Sequence, residues 1–357
     1  EYGLFKQKIV DGWQTELPDV WLPGGDVWLN QRADRVYKVK FDGRVVERQE
    51  NGKLIFDHVD AQEIEAVAYD MLIPGKDSDA VSILRLWKAR STHQFDMYLF
   101  SQGSYMQCMK ENNEADVLTK VLYPSDNHFE GKTLRIKQQY FLVSATLQYI
   151  LDDHFRKYGT YDNLAEKAAI HINDTHPAFC VPELMRLLMD EHGYGWDDAW
   201  SITSKAIAYT NHTIMSEALE KWDEKLIGKI LPRIDMIMRE INRRFCDELT
   251  QKYPGDWNRI NNMSIYQNGQ VRMANLSIVG SHCVNGVSAL HSEIIKKETF
   301  ANFAELTPNK FTNVTNGIAH RRWLCQSNKE LCELLNDCIC DGYVMDASKL
   351  SEFKKYE

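Results

Sequence analysis

No apolar run in this 357-residue chain is long enough to span a bilayer. Neither GxGxxG nor GxxxxGK(S/T) occurs, which excludes the dinucleotide fingerprint and the phosphate-cradling P-loop. Eight cysteines are present, but no CxxC pair, and Cys338-Ile339-Cys340 is spaced too tightly for a zinc site. They read as free, reduced thiols of a cytoplasmic protein. Basic charge is nowhere concentrated, and a net charge of -9 argues against a nucleic-acid footprint. No local signature of a nucleophilic Ser or Cys triad is found, and no internal repeat or low-complexity segment. A secretory signal is missing from the opening Glu1-Tyr2-Gly3-Leu4-Phe5, as is an initiator Met, so the expectation is a piece excised from a longer protein.

What remains is an ordinary globular composition, 44% apolar and 26% charged, with length for one large or two ordinary domains. Five Asn-x-Ser/Thr sequons occur, at Asn173, Asn211, Asn262, Asn275 and Asn313. Two fall in polar loops where a glycan would block any site, so they read as coincidental.

Residues 1 to about 100 read as strands and turns. Val36 to Phe41 alternates, Asp42-Gly43 turns and Arg44-Val45-Val46 resumes, which predicts a hairpin. A second turn at Asn51-Gly52 precedes Leu54-Ile55-Phe56. Glu63 to Leu72 and Val81 to Trp87 predict further strands, the first stopped by Pro74-Gly75. Trp13, Trp21, Trp28 and Trp87 read as packing residues. Helical spacing then covers Tyr105 to Lys120 and Arg135 to about Lys157. Between them, Tyr123 to Gly131 reads equally as a plain helix–helix connection or as a functional gate.

The central stretch carries the chemistry. An apolar run ending at Ile170 spills into His171-Ile172-Asn173-Asp174-Thr175-His176-Pro177, and a second spills into Tyr209-Thr210-Asn211-His212-Thr213. In open α/β sheets ligands bind at such strand ends, and amides, imidazoles and a carboxylate suit a polyhydroxylated ligand. Helices are predicted over Pro182–His192, Trp196–Lys205, Ser216–Trp222 and Lys225–Lys252, the last interrupted near Pro232 and stopped by Tyr253-Pro254-Gly255. Val271–Val279 reads as a strand, Gly280–Gly286 as a tight turn and Val287–Lys297 as a helix, an α/β pattern. Phe311–Ile318 reads as a strand or linker, and Lys329 to Cys338 as a helix. Asp174, His176 and His212 could hold a metal, although Asp-x-His is a weak pattern and a hydrogen-bonded structural cluster explains it as well. A glycosidase carboxylate pair is defined only in three dimensions and stays open.

Several blocks resemble the glycogen/starch (α-1,4-glucan) phosphorylase family. They include Asn173-Asp174-Thr175-His176-Pro177-Ala178, Val181-Pro182-Glu183-Leu184, Ala208-Tyr209-Thr210-Asn211-His212-Thr213 and Glu217-Ala218-Leu219-Glu220. Val121-Leu122-Tyr123-Pro124 with Asp126-Asn127, Gly280-Ser281-His282, His291-Ser292-Glu293-Ile294 and Thr315-Asn316-Gly317-Ile318 continue the match, which runs from Gly3 onward. The resemblance implies a pyridoxal-phosphate-dependent enzyme that moves a terminal glucosyl unit from an α-1,4-glucan to inorganic phosphate, giving glucose 1-phosphate. It implies two Rossmann-like domains of the glycosyltransferase-B arrangement, here incomplete, with a β-rich N-terminal part and long helices. Residues 1–313 would belong to the N-terminal, glucan-binding domain and 314–357 to the start of the C-terminal cofactor domain.

Carried over by resemblance, His212 would face the transferred glucosyl unit, its ring at the 6-hydroxyl and its backbone carbonyl near the reacting carbon. Asn316 would share the 6-hydroxyl. Asp126 and Asn127 would lie on the gate loop, Asn127 touching the 2-hydroxyl. His176, oriented by Asp174, would line the acceptor-glucan side, and Arg135 would support the gate loop as a carboxylate partner. The family's pyridoxal lysine context, Gly-Thr-Gly-Asn-Met-Lys, does not occur, nor does its basic phosphate-binding segment. No cofactor is therefore expected on this chain, which is expected to be inactive alone. Asp152-Asp153 stands where animal enzymes carry an arginine pair at the activator site, and two carboxylates would repel AMP. Gln267-Asn268 replaces an acidic pair of the glycogen-storage region, which leaves secondary-site binding open. A homodimer is implied for the full-length enzyme. Two other readings are a nucleotide-sugar glycosyltransferase of the same architecture and a non-enzymatic glucan-binding module.

Overall fold

A computed structural model of the chain describes residues 5–18, 27–50, 52–92 and 96–357. The N-terminal third is antiparallel β. Strands β1 (Phe5–Val10) and β2 (Trp13–Pro18) form a two-stranded ribbon. A three-stranded sheet has β6 (Gln62–Pro74) between β3 (Leu29–Phe41) and β7 (Val81–Ser91). The remaining ribbon is β4 (Arg44–Glu50) with β5 (Lys53–Val59).

This pairing corrects the hairpin expected at Asp42-Gly43. Both residues adopt the left-handed turn conformation, yet the strands they join belong to different sheets. Tertiary contacts pull Asp42 out of line: its N–H donates to Ile230 O at 2.7 Å and its carboxylate accepts from Lys137 Nζ at 2.7 Å. A Cβ on Gly43 would lie 2.4 Å from Val59 O, where β5 crosses. The second turn does close a hairpin, with Glu50 paired to Lys53 around Gly52; Asn51 lies outside the described residues. Trp87 is buried as expected and donates to Thr146 Oγ1 at 3.0 Å. Trp13 and Trp28, by contrast, are 79% and 63% exposed, so they do not pack into the core. Trp21 lies outside the described residues.

Helices follow: α1 (Met97–Ser101), α2 (Tyr105–Lys120) and α3 (Phe129–Tyr158). The last begins earlier than its apolar spacing suggests, because His128 Nδ1 accepts from Gly131 N at 3.0 Å and caps it. Gly159, at φ 70°, ends it in the left-handed conformation.

A second layer forms around a four-stranded, all-parallel sheet with order β14-β13-β9-β8. After α4 (Leu164–Lys167) come β8 (Ile170–Asn173), α5 (Cys180–Arg186) with a wider turn to Glu191, α6 (Trp196–Ala206) and β9 (Ile207–Thr210). A small antiparallel sheet joins β10 (Lys221–Asp223), β12 (Gln270–Arg272) and β11 (Tyr266–Gln267). Between its strands run α7 (Glu224–Ile230), α8 (Pro232–Lys252) and α9 (Trp257–Met263). Then come α10 (Met273–Val279), β13 (Cys283–Gly286), α11 (Ala289–Ile294), α12 (Ala301–Leu306), β14 (Phe311–Asn313) and α13 (Lys329–Ile339).

Two further expectations are corrected here. Val271–Val279 is mostly the helix α10, and the parallel strand lies in Cys283–Gly286, where a turn was read. Met273 through Ile278 are buried on every side, so no face-to-face periodicity distinguishes helix from strand. Asn275 fastens that helix, donating to Met263 O at 3.1 Å and Ser264 O at 2.9 Å. Ser216–Trp222 is not helical, because Trp222 is drawn into an antiparallel pair with Val271.

One large apolar core runs from Val39 to Phe311 and unites both layers. Its polar hinge is Glu183, fully buried on α5, which accepts from Tyr140 Oη and Ser144 Oγ of α3 at 2.7 Å each. Arg186 completes the shell with two donors at 2.7 and 2.8 Å. A separate small cluster centres on Leu335, Ile339 and Tyr343.

Candidate active site

Because the four strands are parallel, their C-terminal ends open on one edge. The loops that leave it start at Asp174, Asn211, Val287 and Val314. The polar segments read from the sequence reach this edge, as in an open α/β sheet, but His171–Asn173 and Tyr209-Thr210 lie within the strands and the loops begin only at Asp174 and Asn211. Asp174 adopts a left-handed backbone at φ 60°, donates its N–H to Thr210 O at 2.9 Å and accepts from Thr175 N at 2.6 Å. That turn aims the chain from β8 back toward β9.

Two clusters occupy the edge. In the first, exposed His212 bonds through Nε2 to Asn173 Oδ1. Beside it stands His291, which the sequence motif contained but to which it gave no role. His291 Nδ1 accepts from Val287 N at 3.2 Å, so the neutral ring carries its proton on Nε2, which is buried without an acceptor among the described residues. Burial pushes its pKa down, with His212 as a second cause. Asn285, one strand over, donates to Thr210 Oγ1 at 3.3 Å and leaves Oδ1 buried without a donor. Asn316 is exposed on the loop after β14, its N–H fixed to Val287 O at 3.0 Å.

The second cluster is built on Glu220. Arg135 of α3 places Nη2 3.3 Å from Glu220 Oε1 and Nη1 2.8 Å from Asp126 Oδ2, tying the Val121–His128 loop to the strand ends. Gln139 Nε2 donates to Glu220 Oε1 at 2.8 Å and Thr175 Oγ1 to Oε2 at 3.4 Å. His176 Nδ1 stands 3.8 Å from Glu220 Oε1, an ion-pair distance too long for a hydrogen bond, and it has no other partner among the described residues. The carboxylate beside it raises the His176 pKa against partial burial. Its ion-pair partner is Glu220, and the Asp174 carboxylate adds a smaller effect in the same direction. Tyr123, held at φ 56°, sets its ring edge-on to His176 at 5.9 Å. A side chain that large is strained in a left-handed conformation, which marks the loop as over-determined by its contacts. Next to the cluster a cavity of about 470 Å³ is lined by Trp87, Leu122, Tyr123, Arg135, Gln139 and His176.

The structure therefore brings Asp126, Arg135 and His176 together through Glu220, and gathers His212 with Asn173 and His291. Asn127 is exposed on the loop. Among the described residues no three His, Cys, Asp or Glu side chains are placed to hold a metal ion. Glu220 was missed because it lies 85 residues from Arg135 in sequence, and no spacing rule spans that distance. The only available signal was its place in the block Glu217-Ala218-Leu219-Glu220.

Imidazoles, amides and carboxylates thus meet on one edge of a parallel α/β sheet. The chain belongs to the carbohydrate phosphorylase family, whose sequence model matches residues 1–357. It is 47% identical over 356 residues to the glycogen phosphorylase of Bacillus subtilis (strain 168), covering 100% of this chain and 44% of that protein. Identity to the glycogen phosphorylase of Chlamydia trachomatis serovar D is 46% over 354 residues, covering 98% of this chain and 44% of that protein. The muscle form from Bos taurus is 43% identical over 368 residues, covering 100% and 43%. The chain thus spans less than half the length of these relatives.

Proposed function

We propose that this chain forms the glucan-facing part of an α-1,4-glucan phosphorylase, which transfers a terminal glucosyl unit from glycogen or maltodextrin to inorganic phosphate and releases glucose 1-phosphate. The observation that carries this reading is the set of buried polar atoms without partners at the strand ends: His176 Nδ1, Asn285 Oδ1 and His291 Nε2. Native proteins rarely leave such atoms unpaired, and a ring of sugar hydroxyls offers both donors and acceptors to complete them.

In this reading His212 faces the transferred glucosyl, with its ring at the 6-hydroxyl, which Asn316 shares. Its backbone carbonyl stabilises positive charge at the reacting carbon. Asp126 and Asn127 lie on a gate loop that Arg135 anchors, while His176 and Asp174 line the acceptor-glucan side. Substitution of His212 by Ala tests the assignment. In the full-length parent enzyme, phosphorolysis of maltooligosaccharide is lost, with melting unchanged because the side chain is exposed. Normal turnover in that variant discards the role.

Family enzymes use pyridoxal 5'-phosphate, whose phosphate serves as a proton relay when bound. Neither cluster, as described above, contains a lysine. The residues present do not fit a lysine-held aldehyde cofactor, and the chemistry assigned to this chain does not pass through it.

The domain boundary is placed at residue 314, supported by the separate apolar cluster around Tyr343. The architecture is then the N-terminal part of a glycosyltransferase-B fold plus the beginning of its second domain. A homodimer is supported by an exposed apolar patch on α1 and α2, where Met97, Tyr98, Tyr105 and Met106 are 65%, 72%, 56% and 81% exposed. Among the described residues no helix is long and apolar enough to cross a membrane, which is compatible with a cytoplasmic enzyme. AMP activation is not expected, since Asp152 accepts from Tyr37 Oη at 3.0 Å and Asp153 pairs with Lys157 at 2.8 Å, leaving carboxylates at that position.

A further inference from the structure

A second cavity lies among α6, α8, α10 and α12, built from none of the residues of the strand-end clusters. It has a volume of about 300 Å³, the low end for small-molecule sites. Trp200, Ile241, Phe245, Ile278 and Phe303 make its walls apolar. Phe245 and Phe303 stack with centroids 6.0 Å apart and planes 3° from parallel, giving the wall a flat face.

Two opposite charges line this apolar space. Lys310 enters just ahead of β14 and donates to Ile278 O at 2.7 Å. Glu248 of α8 stands at the exposed mouth of this space. Among the described residues neither makes an ion pair, although both neighbouring charges do: Arg244 holds Asp197 at 2.9 Å and Glu240 at 2.7 Å. Burial lowers the Lys310 ammonium to about 8, with Glu248 opposing from too far to pair. A lysine with three donors and a single neutral acceptor is under-satisfied in such surroundings. The rim also argues against a sugar platform, since the Arg244 guanidinium covers the Trp196 ring at 4.7 Å.

We infer that this cavity binds an aromatic α-amino acid, its carboxylate on Lys310, its ammonium on Glu248 and its ring against Phe245 and Phe303. A zwitterion matches both unpaired charges, whereas a simple anion would meet Glu248 and a simple cation would meet Lys310.

The test is titration of the purified protein with L-phenylalanine, phenethylamine and 3-phenylpropionate, followed by calorimetry and by fluorescence of the neighbouring tryptophans. L-Phenylalanine is expected to bind saturably and more tightly than either analogue. Lys310→Met weakens L-phenylalanine about tenfold or more and removes its advantage over phenethylamine, as loss of one charged hydrogen bond requires. Exposed Glu248→Gln removes the advantage over 3-phenylpropionate without a folding cost, and Lys310→Arg, which keeps the charge, retains most of the affinity. Absence of saturable binding by the unsubstituted protein overturns the inference. So does equal binding of all three probes, or unchanged preference in both charge-removing variants.

Discussion

His176 Nδ1 stands 3.8 Å from Glu220 Oε1, an ion pair whenever the imidazole is protonated. Because Glu220 raises the folded-state pKa of His176, its stabilisation is fully present below the unfolded value near 6.5 and is lost as pH rises through the folded value. Glu220→Gln should bring the imidazole transition down toward the ordinary range. Proton–nitrogen NMR of the ring checks this directly, and an unmoved midpoint would show that Glu220 does not set it.

Arg135 is shared by Asp126 and Glu220, so Arg135→Ala should release both carboxylates at once. Loss of these part-buried charged hydrogen bonds should cost about 1–3 kcal/mol. Amide exchange is expected to rise across residues 121–128 and to stay unchanged in β3 and β6. Lysine at this position should not rescue, because one ammonium cannot reproduce the fork that reaches two carboxylates.

Gly131, in the first turn of α3, is a second control over that loop. A Cβ there would lie 1.7 Å from Ser125 O, so Gly131→Ala must move the loop backbone while Arg135 remains intact. Faster exchange at residues 121–128 with a stability loss of roughly 1–3 kcal/mol is expected. A crystal structure of the variant with the loop unmoved would refute that account.

Glu183→Ala takes two hydrogen bonds from part-buried Arg186, leaves it only Glu191 at 2.8 Å, and strands the Tyr140 and Ser144 hydroxyls that Glu183 accepts from. Breaking a buried pair from one side should cost about 3–5 kcal/mol. Tyr140→Phe, which removes one donor, should cost much less, and denaturant titration of both variants measures the difference.

Lys310 has a folded-state pKa of about 8 against an ordinary 10.5, so the unfolded chain holds more protons between those values. Its contribution to stability therefore rises with pH across that window. Lys310→Met should be more stable than the parent at neutral pH and should lack that rise. Parallel melting curves from pH 7 to about 10 settle the sign.

Glu220 and Trp222 show why the site was only half legible in the sequence. Read as helix, residues two apart point to different sides, and neither can be assigned to Arg135. In the structure Trp222 lies in an extended strand paired with Val271, and two-residue spacing returns to one face. Arg135 accordingly meets Glu220 at 3.3 Å and the Trp222 ring at 5.7 Å. The histidine loops were legible because a buried strand breaking into polar residues carries its own local signature.

By itself the sequence determined the punctuation and the chemistry on offer. Pro232 and Tyr253-Pro254-Gly255 bound α8, and the two apolar runs do lead through strands into polar loops, although the strands extend to Asn173 and Thr210, past the ends read from the sequence. These are short-range effects of backbone geometry and side-chain burial. Tertiary structure decided what residues far apart do to one another: β3 pairs with β6 and not β4, Met273–Val279 coils instead of extending, and Glu220 becomes the centre shared by Arg135 and His176. Such outcomes depend on which surfaces meet, and hydrogen bonds and charges acquire partners only once the core has brought them within a few ångströms.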